Sequence, residues 1–100
     1  MTDLRKFARD KPCMVRSPLC NGNAETTVLA HIRRANVAGM GQKPADIIGC
    51  WACSSCHNWI DGRMHIDSED ELRERDGYML DALVRTLNEL VLELGQPWAK

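Results

Sequence analysis

Five cysteines in a chain of 100 residues constrain the fold more than any other feature. Four of them stand in two pairs. Cys13 and Cys20 enclose six residues, and Cys53-Ser54-Ser55-Cys56 is a CxxC pair. A chain this short buries only about two-thirds of the surface it exposes when unfolded, so an internal staple substitutes for core. The N-terminal Met1-Thr2-Asp3-Leu4-Arg5-Lys6 carries no apolar stretch behind its basic residues, unlike a secretory signal. The expected location is therefore the cytoplasm, where thiols stay reduced and more often bind metals than form disulfides. The odd count points the same way, because full pairing would leave one cysteine over.

Thiolates spaced like these can reach one tetrahedral ion from two turns, and zinc suits four sulfur ligands without redox chemistry. Such a site would join the N-terminal turn to the region after Cys53, and its binding energy would be folding energy. Cys50 keeps alternatives open. Cys50-x-x-Cys53-x-x-Cys56 resembles part of an iron–sulfur run, although no Cys-Pro element follows. Cys50 could also replace one of the early cysteines as a ligand, or be a small buried hydrophobe beside Trp51.

Apolar residues make up 44% of the chain and charged residues 27%, which fits a folded domain rather than a disordered chain. No apolar run approaches the roughly 20 residues of a membrane span. The net charge of −1 hides an asymmetry. Residues 1–45 carry eight basic and three acidic side chains, net +5, and residues 46–100 carry five basic and eleven acidic, net −6. The basic half could dock on phosphates, although solvated surface charge explains the same numbers, and a pI near 6.3 argues against a strong nonspecific nucleic-acid binder.

Residues 3–10 can form a short helix with Leu4, Phe7 and Ala8 on one side, ended by Lys11-Pro12. Residues 13–25 are rich in turn formers. Thr26 to Ile32 reads as a strand with His31 near its end, residues 35–45 as a glycine-containing loop, and Asp46 to Ala52 as a second strand or extended run. Cys53 to Gly62 looks like a turn leading into a helix. Ser68-Glu69-Asp70-Glu71 has the form of a capping box. Beyond it Leu80, Leu83, Val84, Leu87, Leu90, Val91 and Leu94 recur at helical spacing, with Asp76-Gly77 as a candidate break and Gly95 and Pro97 as the end. This leucine stripe is most simply core, and a homodimer through the C-terminal helix is a further expectation.

The histidines and acids suggest chemistry. His57, Asp61 and His65 recur at steps of four, so an early helix would set His57 and Asp61 one turn apart as ligands for a divalent ion. That ion would hold a scissile phosphate oxygen and stabilise the leaving oxygen. His31 would take a proton from the attacking water, and Arg33, Arg34 and Lys43 would neutralise flanking phosphates. Each residue also has a plain structural reading, as a packing histidine, a surface hydrogen bond or a solvated charge.

The order of a strand ending in histidine, a loop, a second strand and a helix opening with Cys-x-x-Cys-His resembles the HNH nucleases of the ββα-metal fold. The matching residues are Ala30-His31-Ile32 and Cys53-Ser54-Ser55-Cys56-His57, with Cys13 and Cys20 completing a zinc set. The chain is similar in particular to the small prophage-encoded nuclease family typified by YbcO. That similarity runs through most of residues 1–66, including Cys20-Asn21-Gly22-Asn23, Val28-Leu29-Ala30-His31-Ile32-Arg33 and Lys43-Pro44, and it weakens in the C-terminal helix.

The resemblance implies a DNA endonuclease with a structural Zn2+ on Cys13, Cys20, Cys53 and Cys56. It also implies a catalytic Mg2+, or another divalent ion, on His57 and Asp61, and His31 as the base. Ala30 stands where HNH families place a metal-binding Asp or His. Ile48 stands where they place the middle Asn, with Asp46 and Asn36 the nearest polar residues. The expected architecture is a single α+β domain over residues 1–100. A zinc-stapled, treble-clef-like ββα core spans 1–66 and an amphipathic helix spans 67–95. The expected activity is metal-dependent hydrolysis of DNA in phage recombination or processing. The rival is a noncatalytic zinc-bound module that binds DNA or protein.

Overall fold

The computed structural model describes residues 3–32, 44–61 and 68–95. Helix α1 (Leu4–Phe7) starts at Asp3, whose Oδ1 accepts from the backbone N–H groups of Arg5 (3.0 Å) and Lys6 (3.3 Å). Strands β1 (Val28–His31) and β2 (Gly49–Ala52) pair antiparallel, followed by α2 (Ser54–Ile60) and α3 (Glu69–Leu94). The strands are shorter than the apolar runs that foretold them. Residues 24–26 form a 3-10 turn around an Asn23 cap, and Asp46 and Ile47 lie in the turn before β2.

The register sets Val28 opposite Ala52, Leu29 opposite Trp51, Ala30 opposite Cys50 and His31 opposite Gly49. Gly49 answers a close approach. A Cβ there would lie 2.9 Å from Leu29 Cδ1 and 3.0 Å from the Ala30 carbonyl oxygen. Every residue of β2 is buried, because α2 and α3 both lie against it. The free edge of β2 is closed by other parts of the chain. Met14 N–H donates to the Trp51 carbonyl at 2.8 Å, and Trp51 N–H donates to the buried Thr86 hydroxyl on α3 at 3.1 Å. Arg85 reaches back to the Met14 carbonyl at 2.9 Å. Lys11 ties the N-terminal segment to α3 through Glu93 at 2.9 Å, while its ammonium sits 4.3 Å from the Phe7 ring centroid.

Two expectations for α3 need correction. Asp76-Gly77 does not break it, and the helix runs unbroken over 26 residues. Gly77 is exposed with open space around it, so its cost of about 1 kcal/mol is not compounded by a lost contact. Ser68 caps the start through Glu71 N–H at 3.1 Å, as the box predicted, and Gly95 ends it at φ 78°. The buried face is Met79, Ala82, Thr86 and Leu90 rather than the full leucine stripe; Leu80 and Val84 remain 62% and 58% exposed. Trp59 on α2 meets Tyr78 on α3 edge-on, centroids 5.6 Å apart. No helix among the described residues is long and apolar enough to cross a membrane.

Candidate functional site

The Sγ atoms of Cys13, Cys20, Cys53 and Cys56 lie within 4.8 Å of one another. Zinc–sulfur bonds of about 2.3 Å at tetrahedral angles would separate the sulfurs by about 3.8 Å. Cys20 and Cys53 Sγ are 3.8 Å apart, the separation that such an ion would set for that pair. These four residues could hold a metal ion such as zinc. Local sequence explains the convergence. Cys53 is the N-cap of α2 and accepts from Cys56 N–H at 3.4 Å, so the CxxC spacing places both thiols on the first turn. The other pair is bolted on from outside. Asn21 donates to Ser54 Oγ at 3.0 Å, and Ser54 N–H donates to Thr26 Oγ1 at 3.1 Å. Gly22, at φ 67°, turns its N–H toward Cys20.

The thiols differ in proton affinity. Burial pushes Cys53 up, but N–H donation from Cys56 and Asn21 outweighs it and brings the thiol down to about 7. Burial pushes Cys20 and Cys56 up, with neighbouring thiols adding to it, although Ser17 partly opposes the rise at Cys56. Ser17 Oγ lies 3.1 Å from Cys56 Sγ, a donor that sequence reasoning did not single out. Cys50 stands outside the cluster, fully buried opposite Ala30, and burial followed by the charge of Cys13 pushes its thiol up to about 12.

His31 ends β1 with 8% exposure, and its Nε2 lies 2.8 Å from Asp46 Oδ1. Asp46 Oδ2 in turn faces Arg5 Nε of α1 at 3.8 Å. On α2, His57 Nε2 and Asp61 Oδ2 are 3.0 Å apart, one helical turn from each other as the spacing predicted. Ligands 2.1 Å from one ion at a right angle are about 3.0 Å apart, so this nitrogen–oxygen pair fits two adjacent positions of an octahedral ion. Helix α2 lies against both strands. Arg33, Arg34, Asn36, Lys43 and His65 lie outside the described residues.

The family model described as "Putative nuclease YbcO" matches residues 2–95. The chain belongs to the YbcO family. Among curated relatives, the proteins called "Putative nuclease YbcO" from Escherichia coli K12 and "Putative nuclease ybcO" from Enterobacteria phage 82 are each 58% identical over 66 residues. That stretch is 65% of this chain and 69% of each relative. A solved structure described as a "putative bacteriophage protein" from Escherichia coli K-12 MG1655 is similar in fold, with TM-score 0.69 and 40% identity. The similarity covers 89% of this chain and 96% of that one. In this YbcO-family chain the partner of His31 is Asp46, one of the two polar residues nearest the expected Asn position. The contact is made 15 residues away, across the β1–β2 connection.

Proposed function

We propose that this YbcO-family chain is a metal-dependent DNA endonuclease of the HNH type, acting in phage or prophage DNA processing. The observation that carries the reading is the buried imidazole of His31 at a strand end, held by a carboxylate at 2.8 Å. A histidine fixed in one orientation beside a compensating charge suits proton abstraction from water. The His57–Asp61 pair supports the second half of the chemistry. Those two residues would hold the divalent ion, which supplies charge stabilisation at the phosphate oxygen and at the leaving 3′-oxygen.

The four cysteines would hold a structural Zn2+, fixing α2 against the N-terminal turn. Arg33, Arg34 and Lys43 would neutralise flanking phosphates. The exposed Leu80 and Val84 on α3 support the homodimer, which light scattering on the full chain tests.

The test is cleavage of supercoiled plasmid and branched DNA by zinc-loaded protein with Mg2+ or Mn2+. Wild type is expected to cut, His31→Ala to lose activity, and both to carry one zinc per chain. Wild type and His31→Ala binding DNA equally while neither cuts it would establish the noncatalytic module instead.

A further inference from the structure

Resting on the nuclease reading, we propose that Asp46 is a positioning residue that fixes His31 as the Nε2–H tautomer, so that Nδ1 is the atom that receives the proton from water. A carboxylate only accepts hydrogen bonds, so the hydrogen between Nε2 and Asp46 Oδ1, 2.8 Å apart, belongs to the imidazole. A neutral imidazole carries one N–H, and Nδ1 is then a bare lone pair. Among the described residues, the His31 ring has no other hydrogen-bond partner. The carboxylate is itself held. One oxygen is on His31 and the other faces the Arg5 guanidinium at 3.8 Å, so rotating Asp46 away would break both contacts. The three residues come from α1, the end of β1 and the turn before β2. None of the sequence spacings announces the arrangement.

The step balances without further reactants. The water oxygen bonds to phosphorus as the P–O3′ bond breaks, the water proton moves to Nδ1, and the leaving oxygen takes a proton from solvent. His31 becomes an imidazolium whose new positive charge lies beside the Asp46 carboxylate. The original Nε2–H stays where it was, so Asp46 is never protonated.

Two measurements on the full zinc-loaded chain test the inference. Long-range 15N–13C NMR of the neutral ring reads the tautomer directly. Wild type is expected to show protonated Nε2 and bare Nδ1, and Asp46→Ala to show a mixture of tautomers. Cleavage kinetics read the coupling. Asp46→Ala and Asp46→Asn should lower kcat by roughly tenfold to a thousandfold, with little change in KM for DNA or in the Mn2+ concentration for half activation. Asp46→Ala should cost nothing further in a His31→Ala background, because it acts only through that ring.

An active wild type with protonated Nδ1 overturns this inference while leaving the nuclease reading standing. So does a marked rise in the Mn2+ concentration for half activation in Asp46→Asn, which would make Asp46 a metal ligand. A wild type that cuts no DNA overturns the nuclease reading, and the positioning role falls with it whatever the tautomer.

Discussion

Replacing Cys50 by alanine separates a buried thiol from a metal ligand, and the two assignments predict opposite results. The Cys50 side chain is fully buried on β2, and its thiol is held up at about 12 against an ordinary 9.0, first by burial and then by the charge of Cys13. The folded chain therefore keeps a proton that the unfolded chain releases near pH 9. A group whose folded value is raised gives stability that is complete below the unfolded value and is lost as pH climbs toward the folded one. Each pH unit in that window is worth about 1.4 kcal/mol. Between pH 8 and 10.5 wild type should lose about 2 kcal/mol that Cys50→Ala does not lose. At pH 8 the variant should be less stable by about 1 kcal/mol, the worth of one small buried apolar group. The two stability curves should then cross at about pH 10. Urea unfolding of the zinc-loaded chain, followed by tryptophan fluorescence at several pH values, measures this with Trp51 as the adjacent reporter. Parallel curves for the two proteins would refute the buried-thiol argument, and loss of zinc from Cys50→Ala would show that the ligand set had been misassigned.

Chelation or Cys56→Ser should abolish the thermal transition, because about 10–16 kcal/mol of zinc binding exceeds the stability of most domains this size; circular dichroism with metal analysis reads it, and an unchanged melt would show the ion to be dispensable. Ser17→Ala removes the hydroxyl 3.1 Å from Cys56 Sγ and should weaken zinc roughly tenfold to a hundredfold in chelator competition. For Thr86→Val the expected cost is about 1–3 kcal/mol in urea, since the Trp51 N–H loses its acceptor in a buried position. Gly49→Ala should cost a similar amount, about 1–3 kcal/mol by overpacking, because the new methyl meets the Ala30 carbonyl oxygen at 3.0 Å.

These variants also mark where sequence reasoning reached and where it stopped. The cysteine cluster was legible because each half is local. CxxC on a first helical turn needs only the Cys53 cap, and the Asn21-Gly22 turn after Cys20 gives its own signal. His57 and Asp61 were legible through the helical repeat alone. Ser17, Thr86 and the His31–Asp46 contact were not. Their partners lie 39, 35 and 15 residues away, and nothing in a lone serine, threonine or aspartate says which distant group it will meet.

The error on α3 has a more specific cause. Periodicity locates an apolar stripe without showing what it packs against, and the leucine stripe was read as core. The helix instead lies against the free edge of β2, where Trp51 needs a hydrogen-bond acceptor. Thr86 makes that contact, and with Met79, Ala82 and Leu90 it forms the buried face of the helix. Leu80 and Val84 are carried nearly half a turn around the helix from Ala82, into solvent.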